Sequence, residues 1–187
     1  MDRIAHGSFG EVYRVFDKLN RKFYALKKLF NSPSMTDENF DSIAKREIES
    51  CLHVIALNNP KLLQIYKIDY IPGSSCQILM EYGNGTLRDF LKYVEEEKII
   101  YPEFEEELAT NLSEQLSILH GASIFHRDIK PDNIIIRNDM EFVLTDYGLA
   151  TILKDKNQKT FPIVGSPFYW PPEIKKSYSQ GVRRCEM

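Results

Sequence analysis

The chain is predicted to be an α+β protein in two parts, a strand-rich first third followed by a helix-rich remainder. Three observations carry that prediction. Short runs rich in Val, Ile, Tyr and Phe crowd the region before residue 83. Two longer segments repeat apolar residues at helical spacing. Residues 83–86 (GNGT) read as a short flexible connector between the two compositions.

The elements follow in order. Residues 11–16 (EVYRVF) and 22–26 (KFYAL) read as strands joined by a hairpin turn, DKLNR. Residues 31–38 are loop-like, and Thr36 or Asp37 suits a helix N-cap. Phe40, Ile43, Ala44, Ile48, Cys51, Leu52 and Ile55 then mark one helical stripe. Strands are expected at 64–71 and 76–82, split by PGSS. A short helix is expected near 87–93, and a longer one from Pro102 with Phe104, Leu108, Leu112, Leu116 and Leu119 on its inner face. Pro102 suits the first helical position, and Glu103, Glu105, Glu106 and Glu107 suit the positive end of the helix dipole. Short strands are expected at 134–137 and 141–144, and 148–172 reads as loop.

Composition bounds the function. The chain has 187 residues, 43% hydrophobic and 27% charged, with a formal net charge of −3, the balance of an ordinary globular protein. No apolar run approaches the roughly 20 residues that span a bilayer, and the start of the chain shows no secretory pattern. Cys51, Cys76 and Cys185 are odd in number and widely spaced, which suggests neither a disulfide framework nor a zinc site. The mild charge gives no reason to invoke nucleic acid or anionic lipid. An intracellular home, cytoplasmic or nuclear, is expected. The acids at 95–97 and 103–107 read as solvated helix surface.

Chemistry concentrates in five places. His126-Arg127-Asp128-Ile129-Lys130-Pro131-Asp132-Asn133 puts a proton acceptor, a cation and a neutral oxygen ligand within six positions. Asp146-Tyr147-Gly148 follows an apolar run, so that Asn133 and Asp146 could hold Mg²⁺ through hard oxygen ligands. Near the start, Gly7 and Gly10 flank a strand entry, a pattern that fits either a phosphate-approaching backbone or a plain hairpin. Strand alternation puts Ala25 and Lys27 on one face, suited to a flat base and a phosphate; the other reading of Lys27 is an edge lysine that blunts a sheet. Glu47 lies in an apolar helix stripe, where a charge needs a partner, and Lys27 is a candidate.

Taken together these motifs resemble the protein kinase family, in its serine/threonine branch: a Gly-rich loop at 5–10, Lys27, Glu47, HRDIKPDN at 126–133, DYG at 146–148 and GSPFYWPPE at 165–173. The resemblance implies a bilobal fold, with a small β-rich lobe at 1–82 holding one main helix, a connector at 83–86, and a helical lobe at 87–187. It implies Mg²⁺-dependent transfer of a phosphoryl group from ATP to Ser or Thr of a protein substrate. In that reading Asp128 is the catalytic base and Lys130 steadies the phosphoryl group. Asn133 and Asp146 hold Mg²⁺, and Lys27, kept in place by Glu47, grips the phosphates. The loop residues Ile4, Ala5, His6, Gly7, Ser8, Phe9 and Gly10 cover them, with Ile4 and Val12 packing on adenine beside Ala25. Met80 is the gatekeeper, and Glu81 to Gly83 offer backbone to the adenine edge. Cys51, Ile65, His126 and Tyr147 form an internal spine. Ser166 is expected to bond Asp128. Arg127 is expected to read a phosphorylated loop, with Thr160 the candidate site, Thr151 the weaker one, and an upstream kinase the implied partner.

The chain departs from the family pattern at Ala5, Tyr147 and Pro171, which stand for Gly, Phe and Ala, and none of these removes a catalytic group. Met1-Asp2-Arg3 leaves a stub of the first strand. After Ile174 the family expects a buried helix opened by an Asp-x-Trp motif, and the chain reads KKSYSQGVRRCEM. The helical lobe is therefore expected to be incomplete, and a non-catalytic nucleotide-binding or interaction module stands as the alternative function.

Overall fold

The computed structural model describes residues 1–7, 10–137, 140–153, 160–182 and 184–186. The strand-rich part is a five-stranded antiparallel sheet of order β1-β2-β3-β5-β4, formed by β1 (Asp2–Gly7), β2 (Gly10–Asp17), β3 (Lys22–Phe30), β4 (Ile65–Ile71) and β5 (Ser75–Glu81). The alternation is plainest in β5, where Cys76, Ile78 and Met80 are buried while the residues between them are not. The first strand is no stub. It runs six residues, pairs with β2 through a register shift between Arg3 and Ala5, and is pinned by Arg3–Glu11 (2.6 Å) and Arg14–Asp2 (2.8 Å).

One long helix, α1 (Asp37–Leu57), crosses behind the sheet. Thr36 caps it by accepting from the Asn39 amide at 3.3 Å, and Asn58 ends it in the left-handed region at φ 45°. Its buried face runs through Phe40, Ala44, Glu47, Cys51 and Val54. Leu52 and Ile55, expected in the stripe, are 53% and 40% exposed. The stripe is turned toward Glu47, which places a carboxylate where apolar contacts alone would have put a hydrocarbon.

Residues 83–86 are not a loose tether. The Asn84 amide donates to Ile136 O at 2.8 Å, Ile136 N donates to Gly85 O at 3.0 Å, and Thr86 bridges to Ile135. A Cβ on Gly83 would sit 2.8 Å from Ile135 Cβ, so glycine is what lets the connector lie against its neighbour.

Beyond it lie α2 (Leu87–Glu97) and α3 (Phe104–Gly121), the first opened by a Thr86–Asp89 capping box. Pro102 falls in the turn before α3 rather than at its first position, and Glu103 occupies the N-cap without a side-chain cap. Short strands follow: β6 (Ile124–Phe125), β7 (Ile134–Ile136) paired with β8 (Phe142–Leu144), and β9 (Thr151–Ile152) paired with β6. The stretch expected as loop after 148 holds β9, β10 (Thr160–Pro162) and a 3-10 turn at Pro167–Tyr169 ahead of α4 (Pro172–Ser179) and β11 (Arg184–Glu186). The inner face of α3 carries two polar residues that the apolar stripe hid. Buried Gln115 donates to Phe142 O (2.6 Å) and accepts from Leu144 N (2.9 Å), and Asn111 accepts from Phe142 N (2.8 Å). They satisfy the outer backbone of β8, which would otherwise be buried without partners.

Candidate active site

Two clusters form, the first spanning the connector and the second made of residues beyond it. In the first, β3 presents the Lys27 ammonium 2.5 Å from Glu47 Oε1 of α1 and 2.9 Å from Asp146 Oδ1, just past β8. Burial works against the charge on Lys27, but Glu47 and Asp146 outweigh it and hold the ammonium well above the ordinary lysine range. Lys27 is therefore no edge lysine. Asp146 adopts the left-handed region at φ 65° and accepts from the Gly148 amide at 3.2 Å. A Cβ on Gly148 would stand 3.1 Å from Glu47 Oε2, so this glycine makes room for the three charges.

The second cluster surrounds Asp128, 8% exposed. Its Oδ2 accepts from Lys130 Nζ (2.8 Å) and Asn133 Nδ2 (2.9 Å), and its Oδ1 accepts from the Ser166 amide (2.8 Å). Lys130 also donates to Ser166 Oγ at 2.9 Å. Burial would raise the Asp128 pKa, but Lys130 and the hydroxyl and amide of Ser166 outweigh it and keep the carboxylate ionised. Gly165, at φ 87°, permits the approach: a Cβ there would lie 2.3 Å from Arg127 O.

His126 joins the clusters. Its Nε2 bonds to Thr145 O (2.9 Å), the residue before Asp146, and its Nδ1 accepts from the Asp128 amide (3.3 Å). A carbonyl can only accept, so the proton sits on Nε2. The ring meets Tyr147 edge-on at 5.3 Å, and Tyr147 and Cys51 are buried in one apolar cluster against which Ile65 packs.

The other expected residues are placed as follows. Val12 pairs with Lys27, and Ala25 with Met80, across neighbouring strands. Ala25 and Met80 are buried, and Met80 Sδ lies 4.0 Å from Thr145 Oγ1. Ile4, Ala5 and His6 sit on exposed β1, with Gly7 at its end; Ser8 and Phe9 lie outside the described residues. Gly10 has a packing reason to be glycine, since a Cβ would fall 2.3 Å from Lys28 O of β3. The Glu81 carboxylate is engaged by Arg137. Arg127 donates to Leu149 O (2.9 Å) and Pro162 O (3.4 Å). Thr160 begins β10, opposite Glu186, and its side chain is outside what is described; Thr151 begins β9.

The donor set suits a hard cation beside a polyphosphate. Both contacts of Asn133 Nδ2 run to Asp128, at its carbonyl and at Oδ2, which leaves Oδ1 as the atom a metal would take. Asp146 is exposed and Lys27 engages only its Oδ1. Such oxygens are the ligands Mg²⁺ takes alongside phosphates.

A family model, protein kinase domain, matches residues 1–183. The chain belongs to the protein kinase family. This kinase domain is 31% identical over 185 residues to mitogen-activated protein kinase kinase 8 of Arabidopsis thaliana, covering 97% of the chain and 55% of that relative. It is 32% identical over 181 residues to serine/threonine-protein kinase Tao of Drosophila melanogaster, covering 95% of the chain and 16% of the relative. The kinase domain thus spans about half the length of the first relative and a smaller share of the second. Sequence reasoning missed Arg137, Gln115, Gly148 and Gly165 as individual site-building residues. The two glycines were visible only as parts of motifs, and Gln115 and Arg137 carried no local signal.

Proposed function

We propose that this site transfers the terminal phosphoryl group of ATP to Ser or Thr hydroxyls of a protein substrate, with residues 1–82 and 87–187 acting as two lobes about 83–86. The observation that carries the reading is the Lys27 ammonium held between Glu47 and Asp146 at 2.5 and 2.9 Å. That arrangement fixes one cation in a protected place where polyphosphate charge needs an opposite charge. Mg²⁺ held by Asp146 and Asn133 would supply further neutralisation of phosphate charge. Lys27 orients the phosphates, and Glu47 keeps it from folding away. Asp128, with its pKa depressed, is a poor base toward a free hydroxyl. It orients the incoming hydroxyl and takes its proton only as the new bond to phosphorus forms. Lys130 balances charge beside it, and its bond to Ser166 fits a Ser/Thr substrate lip.

Asp128→Asn should reduce phosphoryl transfer by about 10²–10⁴-fold while equilibrium binding of Mg-ATP stays within about two-fold, because Asp128 makes no claim on the nucleotide. Radiolabel transfer to a generic basic protein and calorimetric titration read the two. Unchanged transfer in the variant rejects the assignment. Nucleotide binding without transfer by the unmodified chain points to the binding-module function instead.

A further inference from the structure

Arg137 stands one residue past β7, outside every motif that carries the proposed chemistry, yet its guanidinium makes five hydrogen bonds. Nε donates to Glu81 Oε2 (2.7 Å), and Nη2 to Glu81 Oε1 (2.7 Å) and Leu62 O (3.0 Å). Nη1 donates to Pro60 O (2.9 Å) and Glu141 Oε2 (2.7 Å). These bonds use every N–H direction of the fork. Glu81 is held from the other side as well: Oε1 accepts from the Gln64 amide at 2.8 Å, and its own amide donates to Gln64 O at 2.8 Å. The two side chains are 18% and 12% exposed, so this is a protected bidentate pair and not a surface ion pair.

The placement gives the pair its consequence. Glu81 ends β5 just before the connector, whose backbone is stitched to β7 by Asn84 N to Ile136 O and Ile136 N to Gly85 O. Arg137 closes the turn end of the hairpin β7–β8, its amide donating to Glu141 O at 2.9 Å, and at the open end Asn133 and Thr145-Asp146 lie side by side, Thr145 N donating to Asn133 O at 2.9 Å. One guanidinium therefore ties the end of β5, the turn at 60–62 after α1 and the short hairpin that both candidate Mg²⁺ ligands flank.

We propose that Arg137 is a positioning residue: its fork on Glu81 sets the connector against β7 and so fixes the spacing between the adenine edge, at Glu81 to Gly83, and the Asn133–Asp146 pair. The nucleotide half of this inference rests on the phosphoryl-transfer reading; the connector half does not. Truncation removes the Arg137 donor from Glu81 Oε2 and the Pro60 carbonyl and leaves Glu81 Oε1 and Leu62 O with Gln64 alone, so the connector loosens from β7 before the fold is lost. Lysine cannot replace the fork, because a point charge on a flexible stem meets one oxygen at a time.

Amide hydrogen exchange and titration with a non-hydrolysable ATP analogue plus Mg²⁺ test it in the unmodified chain, Arg137→Met, Arg137→Lys, Glu81→Gln and Glu141→Gln. In Arg137→Met the Asn84 and Ile136 amides should exchange at least about ten-fold faster and the analogue should bind about ten-fold more weakly, the scale of one lost charge-assisted hydrogen bond. Amides between β2 and β3 should not change. Arg137→Lys should recover only part of either effect, and Glu141→Gln, which leaves the Glu81 fork in place, neither gain nor lose about two-fold. If Arg137→Met does not fold, Arg137→Lys and Glu81→Gln carry the same comparison. Unchanged exchange at Asn84 and Ile136, or unchanged affinity, in folded Arg137 variants overturns the proposal. An unmodified chain that does not bind the analogue overturns the phosphoryl-transfer reading, and the exchange measurement then decides the connector role alone.

Discussion

His126 is 2% exposed and bonded at both ring nitrogens, so its charge state is a property of the fold. Burial pushes its pKa below the ordinary imidazole value of 6.5. Just below that pH the unfolded chain takes up a proton that the folded ring refuses, so stability falls as pH drops through 6.5 and is regained as it rises. The ring resonances of folded protein, followed by NMR, should remain those of a neutral imidazole past that point; ordinary titration at 6.5 would contradict the buried Nε2–H assignment. Much of the chemistry around this ring was legible, because His126, Asp128, Lys130 and Asn133 are close in sequence and need no long-range contact to be recognised. Gly10 was read only in part. Its spacing from Gly7 suggested phosphate approach, while the clash its Cβ would make comes from Lys28 O on a strand that pairs with it. Gln115 was not legible at all, since its worth lies in Phe142 and Leu144, residues that only folding brings to α3.

Helix α1 shows how far pattern carries at the scale of an element. The sequence offered Thr36 or Asp37 as the cap, and Thr36 takes it, with the helix beginning at Asp37. The inner face was drawn too wide by including Leu52 and Ile55, although Glu47 was already read on it as a charge that needs a partner. In the fold Glu47 is the centre of that face, 4% exposed and paired to β3. Lys27→Met should destabilise the chain by about 3–5 kcal/mol, the scale of a buried charge left without its partner. Lys27→Met with Glu47→Leu should recover most of that loss, since no carboxylate is then stranded, and Asp146, being exposed, can turn to water. Denaturant midpoints at constant m-value decide it. A double variant no more stable than the single would mean that packing of the lysine stem, and not the orphaned charge, sets the cost.

At the scale of the whole molecule, the buried cluster runs unbroken from Ala25 and Leu29 of the sheet through Leu62 and Met80 to Leu119, Ile124 and Tyr147 of the helical part. The connector and the Arg137–Glu81 pair close the same seam at its edge. A ligand lodged between Lys27 on one side and Asn133 on the other should therefore stabilise both parts together rather than one alone. At about a hundred times its Kd, Mg-ATP should add about 2.7 kcal/mol to the folded state. For a chain of this length that is a rise in Tm of about 5–10 °C, seen as one cooperative transition moving without splitting. Asp146→Asn should shift less at the same nucleotide concentration, because it weakens both the cation's ligand set and the hold on Lys27. Two separating transitions, or equal shifts in the two proteins, would show that the nucleotide does not bridge the seam through Asp146.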